Sequence, residues 1–261
     1  MSSNEQISKT AKSAPRADGT DPILQAEKIE HSYGRVSVLE GITLEISQGS
    51  VTGMIGPNGA GKSTLIRVLT GLQEPTAGSV TYHGPETVRP IGYLPQRPAF
   101  RPGQSVADAL TFYASLVGAS RKDALTQLET VGLADAADRD VDALSGGMTR
   151  LAGIAQATIG NPPVIVLDEP ASGLDPEMSL HIFDILGELA AEGTAVLLSS
   201  HDLALVEETC DRVMLLDDGD VVRRGSPETL REETEAESLL GVFKSSISTA
   251  GGTVKVQGVT T

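Results

Sequence analysis

The chain has 261 residues, with 20 Lys and Arg against 35 Asp and Glu, a net charge of −15 and 39% hydrophobic residues. That length buries a substantial core, and that acidity argues against nucleic acid, whose affinity rests on phosphate neutralisation. Cys210 is the only cysteine, which excludes an internal disulfide and a cysteine metal cluster.

No apolar run approaches the roughly 18 residues of a membrane span, and the N-terminus has no apolar signal core. The membrane part of any membrane process is therefore expected on another chain. Residues 1–22 are rich in Ser, Lys and Ala, with Pro15, Gly19 and Pro22, the composition of a disordered tail. Ile23–Ile29 and Val38–Ile46 alternate apolar and polar residues about a turn at Gly34 and predict two strands. Tyr33 stands at that turn. It reads either as the hydrophobic cap of a hairpin or as a face on which an adenine ring stacks.

Val51–Ile55 predicts a short buried strand and Leu65–Leu69 a helix. Between them runs Gly56-Pro57-Asn58-Gly59-Ala60-Gly61-Lys62-Ser63-Thr64, a G-x-x-x-x-G-K-S loop in the strand–loop–helix setting this motif needs. Its glycines let successive backbone N–H groups turn inward on an anion, and the following helix adds its positive end. Lys62 is placed for the β- and γ-phosphates of ATP, and the Ser63 hydroxyl for Mg²⁺.

Gly71–Gly78 reads as a loop. Ser79–Tyr82 and Ile91–Leu94 predict two further strands, the second closed by Pro95-Gln96, and together they suggest a small antiparallel sheet beside the nucleotide-binding core. From about 98 to 160 the pattern is helical. Ser105 with Asp108 and Ser120 with Asp123 are capping pairs, Gly132 is a stop, and a third helix is expected over Gly146–Ile159. Val164–Leu167 is an apolar strand ending in Asp168-Glu169. A helix carrying Ile182, Ile185, Leu186 and Leu189 on one face ends at Gly193. The strand Ala195–Leu198 then runs into Ser199-Ser200-His201. Strands alternating with helices imply a parallel, helix-covered sheet. Val213–Leu216 and Val221-Val222 predict a closing hairpin about Asp218-Gly219. Residues 241–261 form a C-terminal tail that reads equally as an added strand or as loose chain.

An ATPase needs a metal, a positioned water and a sensor of the γ-phosphate in addition to a phosphate cradle. Asp168, at a strand end, suits Mg²⁺. Glu169 beside it, pointing the other way along the strand, suits a general base. His201 ends the next strand, where ligands gather in parallel sheets, and is placed for the γ-phosphate. Gln96, at another strand end, offers an amide oxygen to Mg²⁺. Ser145, Gly146 and Gly147 open a helix and make a second anion-binding terminus. One nucleotide needs one cradle, so the second is expected to face the nucleotide of another copy, which predicts a head-to-tail pair.

On these residues the chain resembles the ATP-binding cassette of an ABC transporter, from about Ile23 to Leu230. The matching motifs are the aromatic Tyr33, the loop Gly56–Thr64, Gln96, the signature Leu144–Met148, the strand Val164–Glu169, Ser172-Gly173-Leu174-Asp175 and His201. The resemblance implies an α/β fold: a P-loop NTPase (RecA-like) core with a parallel sheet, an antiparallel β subdomain and a helical subdomain, occupying residues 23–240. It implies ATP hydrolysis, a separate integral-membrane subunit docked near Gln96–Gln104, a second ATP-binding cassette, of the same or a related chain, and a place at the cytoplasmic face of the membrane. Met148 stands where the family most often has Gln. The resemblance implies γ-phosphate contacts from Ser145 and the glycine amides, so that departure is expected to cost less than loss of Ser145. The Met-type signature, Ile91–Pro95 and Gly225-Ser226-Pro227 resemble exporters of the ABC-2 type, and Gly92–Phe100 resembles the cassette serving nitrous-oxide reductase maturation. An iron–sulfur assembly scaffold is the alternative. A GTP switch is excluded because no N-K-x-D follows the P-loop.

Overall fold

The computed structural model describes residues 22–247. Residues 1–21 of the predicted 1–22 tail and the last part of the predicted C-terminal tail, 248–261, lie outside them, and Pro22 opens the first strand instead.

β1 (Pro22–Tyr33) and β2 (Val36–Ser47) pair antiparallel about Gly34, and β4 (Ala77–Tyr82) joins the other side of β1. The second sheet has the order β5 (Ile91–Leu94), β6 (Val164–Asp168), β7 (Ala195–Ser199), β3 (Val51–Ile55), β8 (Arg212–Asp217) and β9 (Asp220–Gly225). It is parallel from β5 to β8, and only β9 runs antiparallel. The expected neighbours β4 and β5 thus separate. β5 has the parallel β6 on its flank, whereas β4 is partly exposed and closes the small antiparallel sheet.

Both faces of the large sheet are covered, which is why its strands are continuous apolar runs. Alternation then sends neighbours to opposite cores. Val164 and Val166 of β6 pack with α1 (Lys62–Leu69) and the antiparallel sheet, whereas Ile165 and Leu167 face the other helices. Those helices are α2 (Val106–Leu116), α3 (Arg121–Thr130), α4 (Gly146–Thr158), α5 (Pro176–Ala191), α6 (Leu203–Thr209), α7 (Pro227–Thr234) and α8 (Leu239–Ser246). The Ser105 and Ser120 caps form as the sequence indicates, the second as a complete capping box.

Helix α8 occupies the start of the stretch expected as strand or loose chain. Ser238 caps it by accepting from Gly241 N, and Leu239 and Val242 are buried at a spacing of three residues. Its first N–H, on Leu239, donates to Glu207 Oε2 on α6 at 2.8 Å. Cys210 is buried, and desolvation pushes its thiol up to about 12, so it is inert packing.

Candidate active site

The site lies at the C-terminal ends of β3, β6 and β7. In an open parallel sheet this is where helix N-termini and loops converge. Adjacent pairing in the order β6, β7, β3 is what brings Lys62, Asp168, Glu169 and His201 to one edge.

The phosphate loop follows β3 and is tightly walled. A Cβ on Gly56 would run into the Leu216 carbonyl of β8. Gly61 has φ +98°, and a Cβ there would lie 2.8 Å from the Val38 carbonyl of β2. Gly61 also stands at the N-cap of α1 and supplies no side-chain acceptor, which leaves the first-turn N–H groups without a side-chain cap. Lys62 is 7% exposed. Its Nζ donates to the carbonyls of Gly56 at 2.7 Å and Pro57 at 3.0 Å. Burial pulls its pKa below the ordinary lysine value, and the charges of Glu169 and Asp168 oppose that pull. Pro57, Asn58, Gly59, Ala60, Ser63 and Thr64 complete the loop, with Asn58 and Gly59 exposed at its tip.

Asp168 and Glu169 are both buried, at 4% and 5% exposure. Ser199, at the end of β7, binds both. Its Oγ donates to Asp168 Oδ1 at 2.7 Å and accepts from Glu169 N at 2.9 Å. The residue is fully buried, so Ser199→Ala strands a carboxylate oxygen and an amide. We expect that change to lower unfolding free energy by about 1–3 kcal/mol, read from a denaturant midpoint at constant slope.

Glu169 does not owe its direction to strand alternation. β6 ends at Asp168, and Glu169 adopts φ +53°, a left-handed conformation rare for a side chain without local stabilisation. That turn carries its Oε1 to within 2.9 Å of His201 Nε2, off the line of a hydrogen bond. His201 is half exposed and Glu169 is not. Desolvation raises the Glu169 pKa above the usual carboxylate range. The charges of His201 and Lys62 oppose this, and Asp168 reinforces it.

Tyr33 is exposed, beside α1. Gln96 follows β5, and its backbone carbonyl accepts from Arg150 Nη1 at 2.6 Å. Arg150, buried on α4, also reaches the Ser172 carbonyl at 3.4 Å. Sequence reasoning missed both Arg150 and Ser199. A lone Arg inside a helix whose neighbours are buried was the available signal for the first. A Ser abutting an apolar strand was the signal for the second.

Ser145, Gly146 and Gly147 stand elsewhere. Ser145 caps α4 by accepting from Met148 N at 3.2 Å, and Ser145 and Gly146 are exposed. Among the described residues no hydrogen bond or ion pair joins them to the phosphate loop. Met148 Sδ lies 3.9 Å from Arg139 Nη1, so its side chain turns back into its own helical layer. A cleft of ≈ 740 Å³ is lined by Glu169, Ser172, Gly173, His201, Glu207 and Leu240 among others, and by no residue of the phosphate loop.

A P-loop followed by α1, with a buried Asp-Glu pair and a His on adjoining strand ends, defines a P-loop nucleoside triphosphatase. The family model described as "ABC transporter" matches residues 39–172, half of the chain. The linearmycin resistance ATP-binding protein LnrL of Bacillus subtilis is 33% identical over 239 residues, 87% of this chain and 77% of that one. The Nod factor export ATP-binding protein I of Ralstonia nicotianae is 35% identical over 224 residues, 81% and 70% of the two chains. A dimeric cassette, MJ0796, solved in a post-hydrolysis state with ADP and Pi, superposes with a TM-score of 0.71 at 26% identity, covering 78% of this chain and 98% of that one. The chain belongs to the ABC transporter family, as its ATP-binding and ATP-hydrolysing subunit.

Proposed function

We propose that the chain drives an exporter by working as a head-to-tail pair at the cytoplasmic face of a membrane. The observation that carries this is the separation of two anion-binding helix termini. One, at α1, sits with the buried carboxylates. The other, at Ser145-Gly146-Gly147, has Ser145 and Gly146 exposed and, among the described residues, no hydrogen bond or ion pair to the phosphate loop. A terminus of that kind is useful to a second copy. The names of the relatives, which speak of resistance and export, support the direction of transport.

In this reading Tyr33 stacks on the adenine, Gly56–Thr64 hold the phosphates, and Lys62 turns from its two carbonyls to the β- and γ-phosphates. Ser63, Asp168 and Gln96 offer only oxygen donors, a set that fits Mg²⁺. Bound there, Mg²⁺ supplies charge neutralisation for the phosphoryl oxygens. Glu169 accepts the proton of the attacking water, and His201 orients water and γ-phosphate. Arg150 joins the signature helix α4 to the carbonyls of Gln96 and Ser172. Movement of the helical layer is thereby passed to the site. The membrane subunit docks near Gln96–Gln104 and on the helical layer, where Phe112 and Leu116 are exposed.

Ser145→Arg tests the pairing. It should leave monomer affinity for ATP within twofold and abolish ATP-dependent dimerisation on a sizing column in a Glu169→Gln background. Loss of both would remove the Ser145 terminus from the interface. Affinity purification from detergent-solubilised membranes with ATP should recover a multi-spanning subunit, and recovery with soluble partners alone would overturn the exporter reading.

A further inference from the structure

The phenol of Tyr33 is held on one side by two residues, Gln73 and His31, that lie outside every motif assigned above. Its hydroxyl donates to Gln73 Oε1 at 2.8 Å. Gln73 Nε2 lies 2.6 Å from His31 Nε2. The His31 ring closes the triangle edge-on to Tyr33, with centroids 4.8 Å apart and planes at 75°. His31 is 7% exposed, whereas Tyr33 keeps 47% of its surface in solvent. With its oxygen given to Tyr33, the Gln73 amide donates, so His31 accepts at Nε2 and carries its proton on Nδ1. That Nδ1 is buried with no hydrogen-bond partner. A buried, unsatisfied nitrogen is unfavourable, so the ring is retained at a cost, with its Nε2 bond to Gln73 and its edge contact with Tyr33 as its polar and packing contacts here.

The segment carrying Gln73 is tied to the same strand. Gln73 N donates to Arg67 O at 3.1 Å at the end of α1, and Thr76 N donates to Glu30 O at 2.7 Å. Ser32 N donates to Thr76 Oγ1 at 3.2 Å. Hydrogen bonding, by Thr64 foremost and then by Gln73 and Arg67, draws the phenol pKa of Tyr33 below its ordinary value, with burial opposing it. The ring is therefore ordered from one edge while its exposed surface stays available.

We propose that His31 and Gln73 are positioning residues for base recognition, fixing the plane of Tyr33 so that its exposed face is set for the adenine of a nucleotide in the phosphate loop. This rests on the reading of Tyr33 as the stacking face. An unrestrained ring would have to be ordered when ATP binds, which weakens affinity by about three- to tenfold for one side chain. The loss falls only on ligands that carry a base, because neither residue is part of the phosphate cradle.

Titration calorimetry with MgATP and with magnesium tripolyphosphate, which has phosphates and no base, separates the two. Gln73→Met keeps the side-chain length and loses both hydrogen bonds. It should bind MgATP three- to tenfold more weakly and tripolyphosphate within twofold of the parent. In a Tyr33→Ala background it should add no further loss. His31→Phe, which keeps the edge-on ring, should behave as Gln73→Met does. Should the buried His31 variant not fold, Gln73→Met at its partly exposed position still decides. Parent-like ATP affinity in Gln73→Met, with Tyr33→Ala weakened, would overturn the positioning role and leave the stacking face intact. Parent-like affinity in Tyr33→Ala would remove the stacking face and the positioning role with it. Equal weakening of both ligands by Gln73→Met would make Gln73 a support of α1 and overturn the proposal.

Discussion

Glu169→Gln should hydrolyse ATP about 100- to 10,000-fold more slowly than the parent while binding it with comparable affinity, the range expected for loss of a general base. Gln keeps the volume and an oxygen toward His201 but cannot take a proton. Its ATP-bound form should accumulate as a dimer, because closure needs ATP and reopening needs hydrolysis. The pH dependence follows from burial. The parent carboxyl titrates above the usual carboxylate range, so hydrolysis should fall as pH drops through that raised value, earlier than an exposed Glu would give. Stability has the opposite sign. A carboxyl whose folded pKa is raised contributes stability below its unfolded pKa and loses it as pH rises through the folded one. Ionised Glu169 therefore costs the fold something at neutral pH. Glu169→Gln should raise the thermal midpoint of the nucleotide-free protein there, with the gain shrinking in acid. Full activity in the variant, measured as phosphate release, would remove Glu169 as the base.

Most of the large sheet and its loop could be read from the chain because the needed information is local. Val164–Leu167 and Ala195–Leu198 are apolar at every position, which only a sheet covered on both faces requires. Asp168 is the last residue of β6 and His201 lies two residues past the end of β7, so locating the strands locates their shared edge. The assignment of β4 and β5 to different sheets was not local. Each is a short run with ordinary strand composition, and the choice depends on which distant strand lies beside it. Glu169 shows the same limit at one residue. Alternation gives its side chain a direction that the left-handed turn at φ +53° replaces. Helix α8 was open to reading at Leu239, Val242 and Phe243, but Gly241 and the following serines lower helix propensity, and docking on α6 outweighs them. Arg150 and Ser199 act through backbone carbonyls and through other residues' side chains, partners that no sequence spacing reveals.

Lys62→Ala should bind ATP at least about 10- to 100-fold more weakly, since it removes a charge-assisted hydrogen bond to phosphate from a walled site. The pH dependence of binding distinguishes this from collapse of the loop. In the nucleotide-free site, burial draws the ammonium below its ordinary pKa despite the nearby carboxylates. Bound phosphates would favour the charged form, so ATP affinity of the parent should decline as pH rises through that lowered value. Lys62→Ala should be weak and flat across the same range. The stability sign agrees. A lysine with a depressed folded pKa carries a cost at neutral pH that disappears as pH rises. The two carbonyl hydrogen bonds of Nζ, to Gly56 and Pro57, offset part of that cost. Lys62→Arg keeps the charge, but its planar fork cannot repeat a point contact inside a cradle closed by Leu216 and Val38, so it should not restore affinity. Unchanged affinity in Lys62→Ala, or an alkaline decline that survives the substitution, would place the phosphates elsewhere than on Gly56–Thr64.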